Sequence, residues 1–251
     1  MKSQSIIFLI VILSLSCSEA PKIEIEVTPR VVLAELFTFA RCTYCPFSEH
    51  ALDSLSKDYG DSLAIIAYHR RLLGDTLSPD YVAVRESLYQ IQVSPTVVFD
   101  GLHAIQTEDP NQNYSVYNSW IIHRRNEAPK LRLHLETNLA VSTVNIKVHI
   151  IVHDSLEESN YQLFTVLYED SVDFVQIGAP DSIYCYVMRK IIPDAHGTSI
   201  DLFYPDSQVW ETDIQLEDYW DEEELGIVSF VQDLETHEVL QAVVDKRIGA
   251  D

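Results

Sequence analysis

Apolar and polar residues change rhythm near position 129, and the change divides the chain into two parts. From Arg30 onward, apolar runs alternate with helical stripes. Residues 31–37 are almost all apolar, the pattern of a strand covered on both faces. Phe47, Ala51, Leu52, Leu55 and Tyr59 then repeat at helical spacing, with Gly60 placed to end that helix. Residues 63–68 predict a second buried strand. Asp80 is placed to cap a helix whose apolar face is Tyr81, Val84 and Leu88. Residues 96–99 predict a third strand, Asp100-Gly101 a turn, and residues 103–105 its hairpin partner. Tyr117, Trp120 and Ile121 mark one more helix before Pro129. This order predicts an α/β unit over residues 30–129.

After Pro129 the period falls to two. Leu131, Leu133 and Leu135 alternate with Arg132, His134 and Glu136, and Val144, Ile146, Val148 and Ile150 alternate with Asn145, Lys147 and His149. Strand-like runs follow at 161–168, 183–192, 208–216, 225–231 and 239–244, separated by Asp, Pro, Ser and Gly. The pattern predicts an all-β domain over residues 130–251, an immunoglobulin-like antiparallel sandwich.

The first residues read as an address. Residues 6–15 are apolar except for Ser14 and follow a single lysine, and ten residues are too few to span a bilayer, which takes about 20. Residues 1–16 are therefore expected to be a signal peptide. Ser14-Leu15-Ser16-Cys17 resembles a bacterial lipoprotein cleavage box, with Ser14 standing where that box prefers leucine. The resemblance implies cleavage before Cys17, acylation of Cys17 and a membrane partner held through the lipid; the alternative is an ordinary signal peptide with Cys17 incidental. Both readings export the protein. Residues 17–29, with three glutamates and two prolines, read as an acidic extended tether.

The chain carries 39 acidic against 17 basic side chains, a net charge of −22, which argues against broad nucleic-acid binding. Most of that charge lies after residue 129, densest at Glu217-Asp218 and residues 221–224. That run lacks the spacing of a calcium loop and reads as a solvated face. The seven glycines form no glycine-rich loop, so no nucleotide cofactor is expected.

Cys42-Thr43-Tyr44-Cys45 stands where a predicted buried strand gives way to a helix. Unpaired N–H groups and the helix dipole at such a point favour a thiolate, the nucleophile of disulfide exchange. Arg41 adds a cation beside it. Pro46 fits the first helical turn, where its missing N–H costs nothing. The expected division of labour makes Cys42 the accessible attacker and Cys45 the more buried resolving thiol. Metal delivery by Cys42, Cys45 and His50 is set aside, since a complete structural site takes four ligands and His50 sits beyond the first turn; no metal is expected. Cys185 has no evident partner and is expected to be a buried, inert thiol.

LAELFTFARCTYC and VSPTVVFDG resemble, in order, two hallmark segments of the thioredoxin superfamily. The resemblance implies a thioredoxin-like domain over residues 30–129, a cis Pro95 facing the redox pair, and backbone groups of Ser94 that pair with an extended substrate. It also implies a buried acid that takes the proton of Cys45. Glu35, the only charge in its strand, is the candidate, although it lies seven positions before Cys42 and the superfamily's acid lies six before; the other reading is an edge or partly exposed glutamate. With YCYVMRKIIPDAHGTSI and IVSFVQDLETHEVLQAV included, the chain resembles more narrowly the thioredoxin-like outer membrane lipoproteins, the "Omp twenty-eight-related" family. The expected function is an exported, membrane-tethered thiol–disulfide oxidoreductase acting on protein thiols and disulfides, with Arg41 and Ser94 meeting the substrate. The alternative is a surface binding or adhesion lipoprotein in which Cys42–Cys45 is a structural disulfide.

Overall fold

The protein is described by a computed structural model covering residues 29–249. The expected signal peptide, Cys17 and the tether up to residue 28 lie outside the described residues.

Strand β1 (Val32–Thr38) leads into α1 (Cys45–Tyr59), β2 (Leu63–His69), α2 (Val82–Leu88), the hairpin of β3 (Thr96–Phe99) and β4 (His103–Ile105), and α3 (Asn113–Arg125). The rest of the chain is β: β5 (Leu131–Ala140), β6 (Thr143–Val152), β7 (Tyr161–Glu169), the two-residue β8 (Val172–Asp173) and β9 (Ile183–Tyr184), β10 (Val187–Ile192), the short β11 (Thr198–Ser199), β12 (Asp206–Gln215), β13 (Leu225–Asp233) and β14 (Val239–Asp245).

Eight strands line up as β14-β13-β7-β10-β2-β1-β3-β4, with β11 paired on β7, to make one nine-stranded mixed sheet. β1 runs parallel to β2 and antiparallel to β3. This part of the sheet is mixed, and α1 starts close after the end of β1. β5, β6 and β12 form a second, three-stranded sheet.

Here the structure departs from the expected division. Among the described residues, 130–249 do not form a self-contained sandwich, because β7, β10, β11, β13 and β14 extend the sheet begun by β1–β4. The join is made by β10, where Val187 pairs with Ala67 in parallel and the Ala67 N–H donates to the Tyr186 carbonyl at 2.7 Å. The cause is visible in the side chains. β13 is buried at every position and β7 at all but one, so both of their faces need cover. Leu163, Leu167, Ile227 and Val231 pack against β5, β6 and β12. Phe164, Val166, Tyr168, Val228 and Phe230 turn to the other side, where they share one cluster with Leu33, Phe37, Tyr68 and Val82 of α2. Over β1–β3 the remaining face is covered by α1 and α3 through Leu52, Leu55, Tyr117 and Ile121. The result is three layers, with α2 alone on one side of the sheet. Each such large side chain removed from water contributes about 1.5–3 kcal/mol.

Polar links reinforce this arrangement. Asp100 accepts from the Leu33 N–H at 2.7 Å and from Arg124 at 2.8 Å, while Arg30 reaches both Asp100 and the Val239 carbonyl. Gly101, at φ +73°, sits so close to the His237 carbonyl that a Cβ there would lie 1.8 Å from its oxygen. The β3–β4 turn is thus clamped by the turn between β13 and β14.

α2 differs from expectation. Its buried positions are Val82 and Arg85 rather than Tyr81, Val84 and Leu88, and Asp80 pairs with Arg71 at 2.7 Å instead of capping.

Candidate functional site

Cys42 and Cys45 are joined by a disulfide, with S–S 2.09 Å and Cα–Cα 5.4 Å. Cys45 is the first residue of α1 and Pro46 follows it within the first turn. The Cys45 N–H donates toward the Cys42 sulfur at 3.1 Å, so a free helix donor is spent on the sulfur expected to carry the negative charge. The Ser94–Pro95 peptide bond is cis, and the Ser94 carbonyl oxygen lies 3.8 Å from the Cys42 sulfur. Cys42, Cys45, Ser94 and Pro95 are therefore brought together from two segments about 50 residues apart. A groove of about 470 Å³ opens beside them, lined among others by Tyr44, Val93, Pro95, Thr107 and Asn113.

Cys42 is 4% exposed and Cys45 1%, so neither is openly accessible in the closed pair. The expected contrast between an exposed attacker and a buried partner is small, because the loop at Ser94 covers Cys42. Tyr44, 61% exposed, and the exposed Val93 give this groove an apolar side.

Arg41 is exposed and runs beside the backbone of Gly178, in the excursion between β8 and β9. It makes no ion pair among the described residues.

Glu35 is not brought to the Cys42–Cys45 pair. Side chains alternate faces along a strand. Leu36 points to the α1 side with Ala34, whereas Leu33 and Phe37 point to the α2 side, and Glu35 goes with them. There its carboxylate takes two bonds from Arg85, at 2.6 and 3.0 Å, and one from the Tyr89 hydroxyl at 2.6 Å. Gln232 of β13 closes the network on Arg85 and Tyr89. Arg85 also lies over the rings of Phe164 and Phe230. Burial alone would weaken its charge, yet Glu35 holds its pKa above the ordinary value. Leu36 is the residue six positions before Cys42. The seven-residue spacing puts Glu35 on the wrong parity, and the structure places it in a buried ion pair.

Two further groups position the site and were not picked out in the sequence. Arg70, buried after β2, donates to the Ser94 hydroxyl at 3.2 Å and to the Ile91 carbonyl at 3.4 Å, and pairs with Glu86 at 3.0 Å. It fixes the loop that carries the cis proline. Asp75 accepts from the Ala40 N–H at 2.6 Å and the Leu77 N–H at 2.9 Å, and bonds His69 at 2.8 Å. Burial would raise its pKa, but His69 and these amides hold it below the usual carboxylate range. Tyr184 of β9 donates to the Ala40 carbonyl at 3.3 Å. The turn before Cys42 is thus held from both halves of the chain. The Arg70-Arg71 doublet ending a strand was the available signal for the first group.

Cys185 is exposed and free, on the link between β9 and β10 rather than inside a continuous strand. Partial burial of its sulfur, beside Asp170 and Asp53, pushes the thiol up. Among the described residues no three His, Cys, Asp or Glu side chains converge as a metal-binding group, and no helix is long and apolar enough to cross a membrane.

Neither a family model nor a curated protein sequence matches the chain. Solved structures do. HBP35 of Porphyromonas gingivalis superposes with a TM-score of 0.73 at 15% identity, over 89% of this chain and 77% of that one. Protein AGR_C_4864 from Agrobacterium tumefaciens gives 0.59 at 13% identity, over 89% and 97%. At these identities the likeness is one of fold, and its coverage takes in both halves. A domain of the outer membrane lipoprotein Omp28 from Porphyromonas gingivalis matches 48% of the chain at 16% identity, with a TM-score of 0.36 that does not establish a shared fold.

Proposed function

We propose that the protein is an exported thiol–disulfide oxidoreductase that exchanges disulfides with protein substrates through Cys42 and Cys45. The observation that carries this reading is the closed pair at the start of α1, with the Cys45 N–H on the Cys42 sulfur and the cis Ser94–Pro95 loop against it. A substrate thiolate attacks the Cys42 sulfur, the Cys42–Cys45 bond breaks, and Cys45 leaves as a thiolate that takes up a proton. A second substrate thiolate then attacks the substrate sulfur of the mixed disulfide and releases reduced Cys42. Two electrons pass from substrate to the pair, and the same steps reversed reduce a substrate disulfide. Pro95 and Ser94 present the backbone edge to an extended substrate, and Arg41, next to Cys42 in the chain and exposed beside Gly178, supplies a cation for it.

The remaining parts complete this reading: residues 1–16 as signal peptide, Cys17 as the acylated end of a 17–29 tether, residues 30–129 as the thioredoxin-like unit, and residues 130–251 as the acidic β half that completes its sheet. A membrane anchor through Cys17, in the outer membrane, fits the resemblance to exported lipoproteins. Loss of membrane retention in Cys17→Ala tests it.

The test of function is the equilibrium of Cys42–Cys45 with glutathione, together with trapping by Cys45→Ser. Exchange with glutathione and accumulation of mixed disulfides through Cys42 are expected. The second reading, a structural disulfide in a binding lipoprotein, is favoured by the burial of both sulfurs. A pair that resists small dithiols and traps no partner would establish that reading instead.

A further inference from the structure

Glu49 occupies the place that Glu35 leaves vacant. α1 turns Cys45, Ser48, Ala51, Leu52, Leu55 and Ser56 inward, and Glu49 lies on this stripe one turn after Cys45. Residues four apart on a helix stand about 5–6 Å apart at Cβ, and a long helical side chain leans back over the preceding turn. Glu49 therefore stands on the same face of α1 as Cys45, one turn further along. It is pinned there by the hydroxyl of Thr38, which donates to Oε1 at 2.6 Å from the end of β1.

The groups facing Glu49 pull in opposite directions. His69, at the end of β2, is committed to Asp75, and His50 and Asp53 belong to α1 itself. Asp181, Tyr184 and Cys185 approach from the segment around β9. Burial raises the Glu49 pKa against the opposing pull of Thr38, His69 and His50. The carboxylate also lines a cavity of about 190 Å³, shared with Leu36, Asp53, Asp181, Ile183 and Cys185. Leu36, the strand position that points toward α1, thus meets the helix-borne acid across this cavity.

We propose that Glu49 takes the proton from the Cys45 thiol when Cys45 resolves the mixed disulfide, and that the adjoining cavity passes this proton to solvent. The inference rests on the oxidoreductase reading. In this step the Cys45 S–H bond breaks and its proton moves to a Glu49 oxygen. The Cys45 sulfur forms a bond to Cys42 Sγ, and the Cys42–substrate bond breaks with its electron pair leaving on the substrate sulfur. Glu49 then releases the proton to water. The oxidant is the substrate disulfide.

The reduced full chain is mixed with oxidised glutathione in excess, and closure of Cys42–Cys45 is followed from pH 5 to 9. The rate that no longer rises with glutathione concentration reports resolution by Cys45, while the concentration-dependent limb reports attack by Cys42. Glu49→Gln retains an acceptor for Thr38. It is expected to slow the plateau by about a hundredfold near pH 6–7, to converge on wild type at pH 9, and to leave the concentration-dependent limb unchanged; Glu49→Asp is expected to recover part of the loss. Glu35→Gln should leave the plateau intact. A Glu49→Gln plateau equal to wild type across the range overturns the assignment, as does the same fall in Glu35→Gln. A wild-type protein that reacts with no glutathione overturns the oxidoreductase reading first, and this inference with it.

Discussion

The backbone N–H of Cys45 lies 3.1 Å from the sulfur of Cys42 and points at it. This relationship makes the two cysteines unequal although both are buried. On reduction, a charge on Cys42 keeps that donor and the N-terminal field of α1, whereas Cys45, inside the first turn, has neither aimed at it.

Alkylation of the reduced protein tests this inequality. With iodoacetamide, modification of Cys42 is expected to have its midpoint below the ordinary thiol value of about 8.5, and Cys45 to react at higher pH. Peptide mass mapping across a pH series reads both. Equal midpoints would remove the electrostatic basis of the site.

The buried pair of Glu35 and Arg85 predicts a stability effect without a chemical one. Removing either partner leaves an uncompensated charge inside the protein and is expected to cost about 3–5 kcal/mol. Glu35→Leu combined with Arg85→Met should be less destabilising than either single change. Urea unfolding measures the energies.

Several features were legible because they are local. β1, α1 with its Gly60 end, the Asp100-Gly101 turn and the placement of Cys42 at a strand–helix junction all follow from spacing and turn chemistry within about fifteen residues. What escaped was long-range. Val187 meets Ala67 across 120 residues, and Arg85 meets Gln232 across 147. The period-two pattern after Pro129 described β5, β6 and β12 well, since they show one face to solvent. In β7 and β13 the apolar residues occupy both faces, a sign of a sheet interior that was absorbed into the sandwich reading. Glu35 is legible as an anomaly, but which helix it faces follows from its parity against Leu36 only once both faces of β1 are known to be covered.

Gly101 predicts an all-or-nothing position. In Gly101→Ala the new methyl would meet the His237 carbonyl, and the φ of +73° is itself unfavourable for alanine. The β3–β4 turn or the β13–β14 turn must move. A fall in Tm larger than that of an ordinary surface substitution is expected, with greater amide exchange at Asp100 and Val239, whose backbone bond spans the contact.

Asp170 predicts a pH dependence. Burial raises its pKa to about 6, above the unfolded value near 4, while its carboxylate still accepts from the Tyr186 N–H at 2.7 Å. Between these values the folded protein holds a proton that the unfolded chain has released. Its contribution is therefore fully present below about pH 4 and lost as the pH rises through 6. Asp170→Asn is expected to flatten this decline in a series of Tm measurements, whereas an unaltered slope would assign it to other groups.

The unbroken ladder from β14 to β4 also limits how the protein can be taken apart. A fragment ending at residue 129 would keep both cysteines, yet β2 would show bare amides along the margin where β10 had been. Its oily underside, stripped of Phe164 and Phe230, would face water together with the Glu35–Arg85 pair, which would also lose Gln232. Such a piece is a recipe for insoluble aggregates, so the smallest portable form of this cysteine pair is nearly the whole folded chain.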